Sequence, residues 1–237
     1  MIFCSRMRCS EAFGRSPAVK IFLRIVAIVV CCFLATCLGV CGWFFLYSGD
    51  LPQLNEAARY APEAAQTVSS VCAPTPTVAI PYSLIAENLR DAITTVESAP
   101  RSATLRLQLA RMLLCNERGR IWKRQLKELR LANQLGRRFS PNQVLTMYAN
   151  RVYLGDGTIG VEAASRRLFG KSASQLSLAE AAMIAGLARA PNFYSPQMHR
   201  DRAIMRRDQV IEALRIRGVV SDDEATKAKS APLKTVD

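Results

Sequence analysis

Residues 25–47 carry no charged side chain, and apolar positions cover every face of that stretch. Its 23 residues would rise about 34 Å as a helix, enough for a hydrocarbon core of about 30 Å. Arg6, Arg8, Arg15, Lys20 and Arg24 precede it, and Trp43, Phe44, Phe45 and Tyr47 close it with the aromatic residues that favour a membrane interface. The pattern predicts a transmembrane anchor over 25–47 behind a basic tail, 1–24. Positive residues stay on the cytoplasmic side, so the N-terminus is expected there and residues 48–237 across the membrane. A cleaved signal peptide is the other reading of such a stretch. It usually has a shorter apolar run ending in a small-x-small site, which this run lacks.

The pattern then changes. Residues 48–77 are rich in Ala, Pro, Ser and Thr (Ala73-Pro74-Thr75-Pro76-Thr77) and read as a stalk with one short helix at 54–66. From Pro81 onward helical periodicity dominates. Leu84, Ile85, Leu89, Ala92, Ile93 and Val96 keep one face, and Pro100 ends the run. Leu105, Leu109, Met112 and Leu113 form a second apolar face, and a third helix is expected over 120–136. Ser140-Pro141 is an N-cap followed by Pro at the first helical position, with Val144, Leu145, Tyr148 and Val152 as the buried stripe. Gly155-Asp156-Gly157 reads as a turn. Ser177 and Glu180 form a capping box opening a helix to Arg189, stopped by Pro191. Further helices are expected over 201–217 and after a Ser221–Glu224 box. No stretch alternates as a good strand and no internal repeat is present, so residues 78–237 should form one mainly α domain.

Composition narrows the chemistry. The chain has 237 residues, 50% hydrophobic, so it will collapse rather than stay disordered. Its single histidine, His199, excludes an ordinary Ser-His-Asp triad without it and any multi-His metal site. Lys and Arg number 32 against 19 Asp and Glu, a net charge of +13. Residues 101–151 hold twelve basic residues and two acids, Glu117 and Glu128, so most of the excess lies in one stretch. Such a block meets an anionic partner (nucleic acid, phospholipid or a phosphorylated substrate) or is simply a solvated face. Nucleic acid fits poorly, because the block should lie outside the cytoplasm. Cys31, Cys32, Cys37 and Cys41 fall in the apolar run as soft packing residues. Cys4 and Cys9 would be cytosolic and reduced, and Cys72 and Cys115 would face an oxidising compartment, paired or free. No Cys pair has zinc spacing.

Longer motifs add a family resemblance. The run Tyr148-Ala-Asn150-Arg-Val-Tyr-Leu-Gly155-Asp-Gly157-Thr-Ile-Gly160-Val-Glu-Ala-Ala-Ser-Arg-Arg-Leu-Phe169 is similar to the Tyr-Leu-Asn…Gly-x-Gly-x-x-Gly…Ala-Ala…Phe motif of peptidoglycan glycosyltransferases, glycosyltransferase family 51. The stretch from Leu176 through Glu180 and Gly186 to Pro191-Asn-Phe-Tyr194-Ser-Pro196 resembles the helix and Pro-x-x-Tyr-x-Pro tail that follow. Ala203-x-x-Arg206-Arg207-x-x-Val210 continues the match. Arg124-Gln125-x-x-Glu128 resembles the Arg-Lys-x-x-Glu motif, with Gln in place of Lys. Further upstream the match thins. Ala92-Ile-Thr-Thr-Val-Glu97 resembles the lead-in to the first catalytic Glu, but Ser98 replaces the Asp that follows and the motif's Phe and His do not appear. Only six residues separate Glu97 from Thr104, where the family has a substantial segment, and the next motif is worn to Ala103-Thr104-Leu-Arg-Leu-Gln108.

The resemblance implies a lysozyme-like helical transglycosylase domain behind one N-terminal transmembrane helix. By the same resemblance it is expected in the bacterial inner (cytoplasmic) membrane, single-pass, with a part in cell-wall synthesis. The implied activity is polymerisation of lipid II into glycan strands. Glu97 is implied as the catalytic base and Glu128 as the second catalytic acid near the pyrophosphate. Thr104, Gln108, Arg111, Arg124, Lys127 and Asn150 are implied to bind substrate. Thr104 and Gln108 are explained as well by helix packing, Asn150 by a polar cap, and Glu128 by an ordinary Arg124–Glu128 helix pair. Positive charge or a divalent cation must stabilise the departing pyrophosphate. The partners implied are lipid II, the nascent glycan and the membrane. The shortened front of the site implies the alternative, an inactive relative that binds lipid II, glycan or a cell-wall synthase such as a penicillin-binding protein.

Overall fold

The computed structural model describes residues 17–47, 67–69, 76–97, 105–114 and 121–236. The chain divides into two compact units, 1–50 and 51–237. In the first, helix α1 runs Pro17–Tyr47. Within it Ile21–Trp43 has a mean hydropathy of 2.7 over 23 residues, and each of these side chains is exposed. This stretch has the length and composition to cross a membrane. Thr36 Oγ1 donates to the Cys32 and Phe33 carbonyls at 2.9 and 2.8 Å, so this hydroxyl is satisfied within the helix.

The described residues of the second unit begin with a two-stranded antiparallel ribbon. Strand β1 (Thr67–Ser69) pairs with β2 (Pro76–Val78), Thr67 opposite Val78. The sequence reading places these residues at the end of the stalk and expects no strand there; the ribbon is the one departure from it among the described residues. Thr67, Val68, Thr77 and Val78 are β-branched and suit pairing, but three-residue strands are too short to show alternation. The helix expected at 54–66, Cys4, Cys9 and the Cys72–Cys115 pair lie outside the described residues.

Helices follow: α2 (Glu87–Glu97), α3 (Leu105–Leu113), α4 (Ile121–Arg138), α5 (Pro141–Arg151), α6 (Val161–Phe169), α7 (Leu178–Leu187), α8 (Arg200–Ile216) and α9 (Asp222–Ser230), with 3-10 turns at Tyr82–Leu84 and Ala173–Gln175. The unit is mainly α, as the periodicity predicts. Helix α5 is its pillar. Leu145, Tyr148, Ala149 and Val152 face one core with Leu89 and Ile93 of α2, Ile184 of α7 and Ile211 of α8. Val144 and Met147 face a second core with Leu109, Leu131 and Leu135 of α3 and α4. Each fully buried Leu or Ile contributes about 1.5–3 kcal/mol, so a helix serving two cores is hard to displace. Every residue from 144 to 151 is buried.

The caps hold as read. Ser140 and Gln143, Ser177 and Glu180, and Ser221 and Glu224 each form a capping box. The helix expected to reach Arg189 ends at Leu187, and its tail turns before Pro191 through the Ala190 N–H to the Leu187 carbonyl. After α5 the chain reverses through Gly155–Gly160. Gly160 has φ +86°, and a Cβ there would stand 2.9 Å from the Asn150 carbonyl oxygen. Only glycine allows that approach and that backbone together.

Candidate active site

Leu89, Ile93 and Glu97 stand at i, i+4 and i+8 on α2, so the stripe that buries the helix also carries its last carboxylate inward. Glu97 is 7% exposed. The Tyr148 hydroxyl on α5 donates to its Oε1 at 2.9 Å. Burial pushes the Glu97 carboxyl above its ordinary range. The Tyr148 hydrogen bond, the charge of Arg189, a hydrogen bond from Gln108 of α3 and the charge of Arg206 pull it back down. The Tyr148 hydroxyl itself is raised well above normal by burial and by the adjacent carboxylate, so it remains a donor.

The cations around Glu97 come from the turn after α7 and from α8. Gly186 lets α8 lie close, since a Cβ there would meet Arg206 Cγ at 3.0 Å, and Arg206 Nε donates to the Gly186 carbonyl at 3.5 Å. The Arg206 guanidinium stacks 5.6 Å from the Tyr194 ring centroid. Arg206 is itself pulled below its usual pKa, first by burial, then by Arg189, against Tyr194 and Glu97, which raise it.

Glu128 heads the buried stripe Glu128, Leu131, Ala132 and Leu135 of α4. Arg111 Nε of α3 donates to its Oε2 and Arg124 Nε to its Oε1, both at 3.0 Å. The carboxylate is 7% exposed while both arginine side chains are nearly half exposed. The helix pair with Arg124 is real, but it is one arm of a two-helix clamp on a buried acid. Two charge-assisted bonds fix the carboxylate and leave the guanidinium rims open to solvent.

Helix α3 links the acids. Gln108 and Arg111 are one turn apart, so the residue serving Glu97 and the residue serving Glu128 share a helix flank. Lys127 is half-buried on α4 beside Glu128. Thr104 lies outside the described residues. Asn150 stands apart from this group. Its amide accepts from the Ile80 N–H at 3.0 Å and donates to the Ile80 carbonyl at 2.9 Å. With 2% exposure and both ends engaged, it locks the segment after β2 to α5. Of the two readings of Asn150, these bonds are those of the polar cap. Glu162 is likewise structural. It accepts from Arg166 Nε at 2.7 Å, the Ser172 hydroxyl at 3.1 Å and the Ala173 N–H at 2.8 Å.

Among the described residues no three His, Cys, Asp or Glu side chains gather as a metal site. Glu97 and Glu128 each stand singly among Tyr, Gln and Arg groups, a donor set that does not fit a protein-held divalent cation. Arg111 and Arg124 bond to Glu128, and the charges of Arg189 and Arg206 act on Glu97. Sequence reasoning missed Tyr148, Arg189 and Arg206 as site residues. The signal for Tyr148 was present, because a tyrosine in a buried stripe must place its hydroxyl against a partner.

A family model described as Transglycosylase matches residues 78–215, more than half of the chain. The chain belongs to the transglycosylase family. This is the peptidoglycan glycosyltransferase resemblance that the motifs predict. It is 38% identical over 131 residues to penicillin-binding protein 1A of Aquifex aeolicus, covering 55% of this chain and 18% of that protein. It is 36% identical over 137 residues to penicillin-binding protein 2a of Streptococcus pneumoniae, covering 58% and 19%. It is 36% identical over 132 residues to penicillin-binding protein 1A of Pseudomonas aeruginosa, covering 55% and 16%. The matched stretch thus spans less than a fifth of each of these relatives. A crystal structure of penicillin-binding protein 1A from Haemophilus influenzae is similar over 74% of this chain and 20% of that one, at 23% identity and a TM-score of 0.45.

Proposed function

We propose that this transglycosylase is a peptidoglycan glycosyltransferase that polymerises lipid II at the surface of the cytoplasmic membrane. Its α1 serves as the single-pass anchor with the N-terminus inside. The observation that carries the reading is the buried, cation-flanked Glu97 held by Tyr148. A general base works best when its basicity approaches the working pH, and burial moves Glu97 in that direction. In the proposed step Glu97 removes the proton from the 4-hydroxyl of one disaccharide. That oxygen forms a bond to the anomeric carbon of the second, and the bond from that carbon to the lipid pyrophosphate breaks with inversion. The departing pyrophosphate takes the electron pair, and Arg111 and Arg124, oriented by Glu128, stabilise its charge. Arg189 and Arg206 keep Glu97 charged enough to accept the proton.

The alternative is an inactive relative that binds lipid II or glycan. It is favoured by the six residues that stand between Glu97 and Thr104 in place of the family's longer segment. Electrophoresis of products from labelled lipid II separates the two, using full-length protein in detergent beside Glu97→Gln and Glu128→Gln. Strands from the wild type and none from the variants support catalysis. No polymer from the wild type, with lipid II still bound, refutes it and leaves the binding reading.

A further inference from the structure

A cleft of about 460 Å³ opens in the second unit between α2, α3 and the junction of α4 with α5. Small-molecule sites commonly span about 300–1,000 Å³ with mostly apolar walls and a few polar groups. Leu105, Phe139, Val144 and Leu145 supply the apolar wall here. Gln108, Arg111, Arg124, Arg189 and Arg206, the groups around Glu97 and Glu128, do not line it. Arg90 is the member that needs explaining. Its guanidinium lies over the Tyr82 ring, 4.6 Å from the centroid. Its Nε is buried and meets no acceptor among the described residues. A buried donor left unmet is uncommon and costly. Stacking occupies the face of the guanidinium and leaves its N–H edge, whose fork matches the paired oxygens of a carboxylate or a phosphate. Arg106 brings a second guanidinium from α3. The bare backbone of α4 at Gly136 leaves it room, since a Cβ there would collide with Arg106 Nη1. Asp91 is the one acid lining the cleft. Burial, then the charge of Glu87, push its carboxyl above its ordinary range, against the pull of Arg90. Two guanidiniums against one carboxyl leave the cleft positive.

We propose that this cleft is a second binding site, for a small organic anion: a carboxylate or phosphate on an aromatic or short aliphatic body. Arg90 and Arg106 hold the anionic group, and Leu105, Phe139 and Leu145 pack on the body. The buried Arg90 Nε then gains the acceptor that the described residues do not give it. Carboxylate and phosphate share this recognition, because each presents two oxygens to a guanidinium edge. The site is apart from the candidate active site but built on the same helices. Thr94, at its rim, stands three residues before Glu97 on α2, and Leu145 three residues before Tyr148 on α5.

Fluorine NMR line broadening tests it on full-length protein in nonionic detergent, with protein-free micelles as the baseline. The probes are para-fluorobenzoate and para-fluorophenyl phosphate, beside para-fluorobenzyl alcohol and para-fluorobenzylamine as the neutral and cationic controls. Broadening is expected from the anions and not from the controls, and the tighter of the two anions identifies the head group. Arg106→Met, at an exposed position, removes a charge-assisted donor and should weaken anion binding by about tenfold or more. Asp91→Asn removes the opposing charge and should tighten it severalfold. Thr94→Trp, also at an exposed position, should fill the mouth and abolish binding. Helical circular dichroism should stay unchanged in all three variants. No broadening by either anion would overturn the proposal, and so would equal broadening by the alcohol or the amine. Anion binding unmoved by both Arg106→Met and Thr94→Trp would also overturn it, placing the anion at Arg111 and Arg124 instead. Lipid II takes no part in these measurements, so the proposal stands or falls apart from the catalytic reading.

Discussion

Tyr148→Phe removes one hydroxyl from the centre of the site and little else. Tyr148 is 2% exposed, so phenylalanine fills the same space and the change isolates the 2.9 Å bond to Glu97 Oε1. A hydrogen bond to a charged group contributes about 1.5–3 kcal/mol, and one between neutral groups about 0.5–1.5 kcal/mol. The loss should therefore be greatest at neutral pH and above, where Glu97 is ionised, and shrink as acid protonates it. For a folded unit of this size each kcal/mol moves the melting temperature by about 2–4 °C, so a drop of about 3–12 °C is expected at neutral pH. In the Glu97→Gln background the same change should cost only the neutral-pair amount, giving a coupling of roughly 1–1.5 kcal/mol in a double-mutant cycle. Losing its strongest downward influence also raises the Glu97 carboxyl further, so the acidic limb of any activity profile, where the base loses its proton, should move to higher pH. Thermal unfolding of the four proteins across pH reads all of this. Equal losses in both backgrounds, independent of pH, would refute the claim that Tyr148 acts on an ionisable Glu97.

Other changes follow from the same geometry. Glu97→Gln should raise thermal stability near neutral pH. The folded carboxyl is shifted up by burial, so its favourable contribution exists below the unfolded pKa and is lost as pH rises through the folded one, and the gain from Gln should vanish in acid. Arg207→Met should be among the most damaging substitutions. Arg207 is 3% exposed and donates to the Ala231 and Lys229 carbonyls at 2.9 and 2.7 Å. Leaving two acceptors unmet costs about 2–6 kcal/mol, and faster hydrogen exchange along α9 would register it. Gly160→Ala should destabilise the unit by about 1–3 kcal/mol in chemical denaturation, because the left-handed backbone is strained and the new Cβ meets the Asn150 carbonyl.

What the sequence made legible depended on range. The capping boxes and helical stripes involve neighbours three and four residues apart, and they appear where they are expected. Glu128 was readable too, because the apolar residues three and four positions after it declare an inward face. Tyr148 stands in a stripe of that kind and opens the family motif, but its hydroxyl's partner lies on another helix and is not legible from either. Arg189 and Arg206 reach Glu97 only through the packing of α7 and α8 on α2, which no local spacing encodes. Asn150 and Ile80, 70 residues apart, are likewise joined only by the fold. The ribbon escaped notice because its strands are shorter than any period.

The central claim is that Glu97 is the general base of a lipid II glycosyltransferase. The initial rate of glycan-strand formation from labelled lipid II, compared between wild type and Glu97→Gln at equal folded fraction, tests it directly. The account predicts a loss of about 10²–10⁴-fold with lipid II binding retained. Equal rates for the two proteins, or no strands from either, would contradict it.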